Sequence, residues 1–322
     1  MSALEAYGNL FDDIMPWCGP VPRGFAVDFF GTLIDLRFRR LLGVDPEGVS
    51  ERIVRTKLPT IGNYGEGWFE AANWVLAANE AKNRFVMMTL GACFGYQAVG
   101  AFKAVQALSP MPCKLVVVEP EPQNLAWARQ HFSDNYIDPS DHWFVPMALS
   151  DTSAPVFFPV GSPGTGAHNL MWSNHESERR IYFHEVMNNG NCEKVLQRIL
   201  LENATGITRD ITGRNNLAEI RLVSAVTLMD LIAPFELVDY IEADIQMSEI
   251  IVFPPAIDVL NRRVKRVHIG THGDEAHLGM RKLFVENGWE VVFDFSPMKS
   301  HQTALGSFEA NDGILTVRNP RL

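Results

Sequence analysis

The sequence lacks an excess of basic residues. Its 322 residues include 28 Lys and Arg against 38 Asp and Glu, a formal net charge of −10 at pH 7. Non-specific binding to the phosphate backbone of DNA or RNA needs a basic surface. We therefore expect no nucleic-acid partner.

Cysteine is also scarce, and its spacing forms no C-x-x-C pair. The four cysteines are Cys18, Cys93, Cys113 and Cys192. This excludes a zinc ribbon and a disulfide framework, and is typical of a reducing compartment. The N-terminus has no basic segment followed by an apolar core, so it does not read as a secretory signal. We expect a cytoplasmic protein.

Long uncharged runs are rare as well. The single candidate for a membrane span, Phe85 to Phe102, has 18 residues without a charge, which is the lower limit for a transmembrane helix. It divides instead into a strand, a glycine turn and a helix. We expect no membrane partner. A hydrophobic content of 47% fits an ordinary globular protein.

The most informative stretch is residues 84–122. An apolar strand pattern, 85–90, stops at the turn Gly91-Ala92-Cys93-Phe94-Gly95, and a helical pattern follows. A second apolar strand pattern then ends on an acid, Glu119. Glycine allows close approach of the backbone to a ligand, and a carboxylate at a strand end can accept hydrogen bonds from ribose hydroxyls. The pattern predicts a nucleoside cofactor site in a parallel α/β sheet.

The rest of the chain alternates between strand and helix patterns, which predicts a parallel sheet with helices on both faces. The predicted strands are 85–90, 114–119, 143–148, 238–244, 264–270, 289–295 and 313–318. The predicted helices are 95–108, 121–132, 247–261 and 274–287. Since no helical pattern separates the last two strands, we expect them to form an antiparallel pair at the sheet edge.

Two segments fall outside this alternation. Residues 1–83 are irregular apart from a helical pattern at 66–82, and we interpret them as an N-terminal extension that packs on the core domain, 84–322, over its cofactor cleft. The alternation lapses again at about 152–225, and the polar, glycine-rich stretch 161–177 favours a substrate-facing insertion; the alternative is a surface loop.

These motifs together resemble the class I S-adenosylmethionine-dependent methyltransferases, and within them the FkbM family. The matching segments, over roughly 84–318, are LGACFGY (90–96), VEPEP (118–122), MALSD (147–151), VTLMDLIAPFELVDYIEADIQMSE (226–249), IGTH (269–272) and NGWEV (287–291). The resemblance implies a Rossmann-like sheet of seven mostly parallel strands with an antiparallel edge strand, and S-adenosylmethionine as cofactor.

The resemblance also implies roles for individual residues. Gly91 and Gly95 shape the turn at the methionine end of the cofactor, Glu119 binds the ribose, and Asp244 faces the transferring methyl group. The full set of implied cofactor-binding residues is Thr89, Gly91, Ala92, Cys93, Gly95, Glu119, Pro120, Ala148, Leu149 and Asp244. As alternatives, Glu119 is a solvated strand-end acid and Asp244 is a helix N-cap.

Four positions depart from the family pattern. Thr89 stands where the family has an acid that helps to hold the cofactor's ammonium group, and Cys93 replaces a glycine or asparagine. Met247 replaces the glycine of the turn after the fourth strand, and Glu242 replaces a lysine on that strand. These changes keep open a diverged, catalytically silent relative that binds cofactor or acts as a scaffold.

Methyl transfer to a hydroxyl needs a base near the methyl group. The candidates are Asp244, His272 and Glu249, with His168 and His175 of the insertion; Trp172 is a candidate substrate platform. Glu249 alternatively caps the following helix. A metal site at His268, His272 and His277 is a further alternative, but their spacing matches no compact zinc site, and we expect no metal.

The leading hypothesis is an O-methyltransferase that acts on a hydroxyl of a sugar, glycan or secondary metabolite, with a homo-oligomer as an open possibility. A nicotinamide-dependent oxidoreductase also places an acid after the second strand. It expects G-x-G-x-x-G, which Cys93 interrupts. The third alternative is the non-catalytic binding protein.

Overall fold

The computed structural model describes residues 3–42, 45–160 and 219–322. Its strands are β1 Cys18–Val21, β2 Phe25–Val27, β3 Leu33–Asp35, β4 Arg52–Arg55, β5 Phe85–Leu90, β6 Cys113–Val118, β7 Trp143–Val145, β8 Ala148–Leu149, β9 Val156–Val160, β10 Glu219–Val223, β11 Ala225–Val226, β12 Val238–Ala243, β13 Val264–Thr271, β14 Glu290–Phe295, β15 Lys299–Thr303, β16 Gly306–Ala310 and β17 Gly313–Arg318. Its α-helices are α1 Ile61–Tyr64, α2 Gly67–Glu80, α3 Tyr96–Leu108, α4 Pro122–Asp134, α5 Leu228–Ile232, α6 Glu249–Arg263 and α7 Asp274–Glu286.

Seven strands form the central sheet, in the order β14-β17-β13-β12-β5-β6-β7. Pairing is parallel from β13 through to β7, and β17 runs antiparallel to both of its neighbours, β13 and β14. The order and the antiparallel pair at the edge are those of the Rossmann-like methyltransferase fold. The predicted fold class is therefore confirmed.

The sheet is buried on both faces, which explains why its central strands read as continuous apolar runs. All six residues of β5 are buried. Phe85 and Met87 point into a core shared with α2 and α3, while Val86 and Met88 point into a second core with α6. Residues at alternate positions therefore divide between two hydrophobic layers.

The residues before β5 pack on the first of these layers. Helix α2 lies against α3, where the buried ring of Trp74 meets the backbone at Gly100: a Cβ at Gly100 would be 2.5 Å from Cη2 of that ring. The indole nitrogen of Trp74 also donates to Oε1 of Gln97, at 3.0 Å. The predicted helix at 66–82 is thus present, and the domain boundary at residue 83 stays a prediction.

Two sequence predictions differ from the structure. The strand predicted at 143–148 ends at Val145, because Pro146 has no N–H for the ladder, and Ala148–Leu149 pairs instead with β11. The connection between β14 and β17 has no helix, as predicted, but it contains an antiparallel pair, β15–β16, that the sequence did not predict.

The predicted insertion, about 152–225, has β9 near its start and β10 near its end, and these two strands pair antiparallel. The predictions for the 161–177 segment, His168, Trp172 and His175 lie outside the described residues. In the part of the chain that the structure describes, no helix has the length and apolar character needed to cross a membrane.

Candidate functional site

The turn after β5 lies against the turn after β12. Gly91 has a φ of 77°, and a Cβ there would be 2.1 Å from the carbonyl oxygen of Asp244. Only glycine fits at this position. The N–H groups of Gly91 and Ala92 both donate to the carbonyl of Val118, at 3.0 Å each. The turn is therefore fixed between the ends of β6 and β12.

Glu119 ties the end of β6 to the same turn. One carboxylate oxygen accepts from the N–H of Cys93 at 2.7 Å, and the other accepts from the N–H of Glu121 at 2.9 Å. The residue is 4% exposed, and burial raises the pKa of its carboxyl to about 8 despite these two donors. The side chain of Asn124 is a third donor to this carboxylate, which leaves one of its four lone pairs for a further donor. The predicted neighbourhood of the glycine turn and the strand-end acid is present.

These groups line a cleft at the carboxyl edge of the sheet, which we call the first cleft. Its empty volume, counted to its open mouth, is about 470 Å³. Its lining residues are Gly91, Cys93, Glu119, Pro120, Ala148, Leu149, Phe158, Asp244, Ile245, Gln246 and Ser248. Seven of the residues predicted from the sequence to bind the cofactor are in this set: Gly91, Cys93, Glu119, Pro120, Ala148, Leu149 and Asp244.

A second, larger cleft adjoins the first and shares Gly91, Cys93 and Asp244 with it. Its empty volume, again counted to its mouth, is about 1310 Å³. Its lining residues are Arg39, Glu66, Glu70, Thr89, Gly91, Ala92, Cys93, Phe94, Tyr96, Gln97, Glu242, Asp244, His268, Gly270, Asp312, Gly313 and Ile314. The predicted extension thus contributes to the second cleft, and none of its described residues lines the first.

Two of the predicted cofactor residues, Thr89 and Ala92, line only the second cleft. Gly95 lines neither cleft. It is the N-cap of α3 with a φ of 76°, and a Cβ there would be 3.2 Å from the Cβ of Ala128 in α4. The structure therefore places Gly95 at a close contact between two helices.

The second cleft is strongly acidic. Its lining contains five carboxylates, those of Glu66, Glu70, Glu242, Asp244 and Asp312, and a single side chain with a permanent positive charge, that of Arg39. Burial raises the pKa of Glu70 to about 7, and it raises the pKa of Glu242 well above its usual range. The cleft favours a ligand that carries positive charge or many hydrogen-bond donors.

The predicted catalytic residues Asp244, His272 and Glu249 come together at the ends of β12 and β13. Nε2 of His272 lies 3.4 Å from Oδ1 of Asp244 and 3.5 Å from Oδ1 of Asp312, and its Nδ1 lies 3.8 Å from Oε1 of Glu249. Burial alone would lower the pKa of His272, but the three carboxylates outweigh it and raise this pKa to about 10. The carboxylates therefore favour the charged ring, whereas the amide nitrogen of Gln246, 2.8 Å from Nε2, can donate only to a neutral one. In its charged form His272 has no free lone pair for a base.

Asp244 is the better placed base. Its side chain is 43% exposed to the clefts, and it accepts from the amide nitrogen of Gln246 at 2.9 Å. Burial, together with the charge of Glu249, raises the pKa of its carboxyl. A raised pKa makes a carboxylate a stronger base near neutral pH.

Only one of the two carboxylate oxygens of Glu249 is hydrogen-bonded to a residue that the structure describes. It is fully buried at the start of α6, and Oε1 accepts from the N–H of Ile245 at 2.9 Å. Oε2 has no hydrogen-bond partner within the described chain. Glu249 lines neither cleft; it contacts the Ile245 turn and lies 3.8 Å from Nδ1 of His272.

Of the three histidines considered for a metal, two have structural partners. Nδ1 of His268 is within hydrogen-bond distance of Asn73 and Thr316, at 3.2 and 2.8 Å. His277 lies between Thr271 and Asp294, at 2.8 and 2.9 Å. They do not converge on His272.

One group in the described residues has ligand atoms close enough to share a metal ion. It consists of Asp244, His272 and Asp312, whose ligand atoms lie within 4.8 Å of one another. A metal ligand must be a neutral imidazole. The carboxylates raise the pKa of His272, so a metal ion at this group would have to compete with the ring proton.

Sequence reasoning missed several lining residues. Ile245, Gln246 and Ser248 follow Asp244 directly, and the turn motif around them was a usable signal. Glu70 and Asp312, by contrast, are distant from the motifs in sequence, and only the folded sheet and α2 bring them to the cleft. No local pattern marks them.

No protein-family model and no curated protein sequence matches the chain. Solved structures similar to it include precorrin-6Y C5,15-methyltransferase from Geobacter metallireducens GS-15, with 10% identity, a TM-score of 0.35, and coverage of 77% of this chain and 86% of that one. Methyltransferase FkbM from Methylobacillus flagellatus KT has 10% identity and a TM-score of 0.39, with coverage of 78% and 54%.

An O-methyltransferase from Bacillus cereus, solved with S-adenosylhomocysteine, has 10% identity and a TM-score of 0.36, with coverage of 77% of this chain and 80% of that one. These TM-scores are too low to carry an argument about this chain. The fold described above rests on its own strand order.

Proposed function

We propose that the chain is a methyltransferase that binds S-adenosylmethionine in the first cleft and a small-molecule acceptor in the second. The observation that carries the proposal is the joining of the two clefts at Gly91, Cys93 and Asp244. A methyl donor in one cleft would thus face an acceptor in the other. The motif resemblance supports membership of the FkbM family.

The lining of the first cleft fits a nucleoside. Glu119 has a lone pair free for a ribose hydroxyl, and Ala148, Leu149 and Phe158 are buried apolar residues suited to an adenine ring. Gly91 leaves the backbone bare at the turn between the clefts. These residues would hold the cofactor, which supplies a methyl group on a positively charged sulfur.

The bound cofactor would supply a methyl group for an in-line displacement, with its sulfur as the leaving group that would keep the electron pair of the carbon–sulfur bond. The chain's main contribution is alignment of the two reactants. Asp244, at the junction of the clefts, would take the proton that a hydroxyl acceptor loses. His272, as an imidazolium, would orient Asp244 and Asp312 by charge.

We further propose that the methyl group goes to oxygen, on a hydroxyl of a sugar, glycan or secondary metabolite. The motif resemblance and the position of Asp244 support this choice. A mass-spectrometric search for a gain of about fourteen daltons, the mass of an added CH₂, across candidate acceptors tests it. Asp244→Asn should lower the rate of transfer to a hydroxyl acceptor while S-adenosylhomocysteine still binds.

Calorimetric titration with S-adenosylhomocysteine tests the cofactor site. We expect binding by the native chain and a loss of roughly ten- to a hundredfold in affinity for Glu119→Ala, as expected for a hydrogen-bonded charged group worth about 1.5–3 kcal/mol. Glu286→Ala, on the exposed surface of α7, is the matched control and should bind normally. The absence of binding heat at millimolar ligand, from folded protein, would refute the proposal.

A second candidate is a cofactor-binding protein of the same fold without transfer activity. Thr89 favours it, because the family's acid is missing there, and so does Cys93, which takes a left-handed φ of 48° where the family uses glycine or asparagine. Binding of S-adenosylhomocysteine with no methyl transfer to any acceptor in the mass-spectrometric search would support this candidate.

A further inference from the structure

We propose that Glu242, Glu70 and Thr89 form a binding site for a primary ammonium group at the floor of the second cleft. The ammonium belongs to the amino-acid end of S-adenosylmethionine or to a second, amine-bearing molecule. The first of these sources rests on the proposed function.

The site is built on the register of the sheet. Glu242 in β12 is paired with Thr89 in β5 on one side and with His268 in β13 on the other. Paired residues of adjacent strands point to the same face. All three therefore point towards α2, from which Glu70 lines the opposite wall of the cleft.

Glu242 has no partner of its own. It is 5% exposed, and it makes no hydrogen bond or ion pair within 3–42, 45–160 and 219–322. The nearest charges that act on it are the carboxylates of Asp244 and Glu70, which repel its charged form. A buried carboxyl without a partner is costly unless a ligand supplies a cation.

Thr89 is also unpartnered. It is 1% exposed, and its hydroxyl makes no hydrogen bond with any residue that the structure describes. Glu70 is held by a hydrogen bond from Gln97. The floor of the cleft thus presents two carboxylates and one hydroxyl oxygen as acceptors.

An ammonium group matches these acceptors. It carries one positive charge and three N–H donors, and it has no acceptor of its own. The acidic lining of the cleft disfavours an anion. A divalent cation fits less well, because in the described chain Glu242 belongs to no group of three ligating side chains within 4.8 Å of one another.

The position of the site explains the departure at Thr89. The chain lacks the acid expected on β5, and Glu242 supplies a carboxylate on the adjacent strand, in register with Thr89. The site lies in the cleft that meets the nucleoside cleft at Gly91 and Asp244. An amino-acid group that extends past Gly91 from the nucleoside would enter the same cleft.

The test compares two ligands that differ by the amino-acid group. S-Adenosylhomocysteine carries the ammonium, whereas 5′-methylthioadenosine keeps the nucleoside and the sulfur without it. In calorimetric titrations, Glu242→Gln should weaken S-adenosylhomocysteine by roughly ten- to a hundredfold and leave 5′-methylthioadenosine unchanged. Glu119→Ala should weaken both ligands. Glu286→Gln, on the exposed surface, should weaken neither.

The outcomes separate this proposal from the proposed function. If the native chain binds neither nucleoside, the proposed function fails; the ammonium site then stands only if putrescine, a diamine probe, binds the native chain and binds Glu242→Gln at least tenfold more weakly. The ammonium site would be overturned if Glu242→Gln lost affinity equally for both nucleosides. It would also be overturned if Glu242→Gln bound both nucleosides and putrescine as tightly as the native chain does.

The variants must be folded for this comparison. Glu242→Gln removes an unpaired buried acid, so its melting temperature should equal or exceed that of the native chain. Glu70→Gln, on the cleft side of α2, is the second variant and should show the same selective loss. If Glu242→Gln does not fold, Glu70→Gln alone decides between the two outcomes.

Discussion

Individual residues carry backbone strain at the two turns that border the clefts. Cys93, Gln246 and Met247 have left-handed φ values of 48°, 52° and 76°. This conformation costs non-glycine residues roughly 1–2 kcal/mol each. The sequence departures at Cys93 and Met247 therefore fall at positions where the backbone still takes a glycine-like conformation. Strain of this kind concentrates at functional sites.

The charge on His272 can be tested by replacing one neighbouring residue. Asp312→Asn removes one of its three neighbouring carboxylates, so we expect the pKa of His272 to fall below about 10. A raised folded-state pKa stabilises the native chain fully below the unfolded value of about 6.5, and this stability is lost as the pH rises through the folded value. As the pH rises from about 6.5 to about 10, the free energy of unfolding should therefore fall less in the variant than in the native chain.

The measurement is an NMR titration of the His272 ring, with urea unfolding at pH 6, 8 and 10. Asp258→Asn, on the exposed face of α6, is the matched control and should leave the titration unchanged. A His272 that titrates near 6.5 in the native chain would contradict the raised pKa.

At the scale of elements, most central strands and helices follow from the sequence. Strands 85–90 and 313–318 have the predicted bounds, and the four main helices begin and end within two residues of prediction. Strong apolar runs bounded by glycine turns explain this agreement. The hairpin β15–β16 was missed because β15 is wholly polar and β16 buries only Phe308 and Ala310, an alternation too short to mark a strand.

The contact between α2 and α3 gives a prediction from two helical glycines. Gly100→Ala places a methyl group against the buried Trp74 ring, so we expect the free energy of unfolding to fall by about 1–3 kcal/mol. Gly279→Ala, in α7, meets nothing within 4 Å and should raise it by roughly 0.5–1 kcal/mol. Urea unfolding of both variants measures the difference. The same sign for both would show that Trp74 does not restrict Gly100.

The candidate site was only partly predictable at this scale. The glycine turn and Glu119 could be predicted because parallel strands end at one edge of the sheet, so consecutive strand ends predict a common site. The acidic wall formed by Glu66 and Glu70 could not be predicted from the sequence. It depends on how α2 packs over that edge, which no local pattern in residues 61–80 determines.

The whole molecule joins two unlike clefts at one edge of one sheet. The first cleft is formed by the ends of the parallel strands, while the acidic second cleft is completed by residues before β5, such as Arg39 and Glu70. Removal of the N-terminal residues would therefore open the second cleft and leave the lining of the first.

The most direct measurement of the central claim is a crystal structure of the complex with S-adenosylhomocysteine. We predict that the ribose hydroxyls contact the carboxylate of Glu119, that the adenine lies beside Leu149 and Phe158, and that the ammonium lies within hydrogen-bond distance of Glu242. A ligand bound elsewhere, or a first cleft filled by the chain's own side chains, would contradict the account.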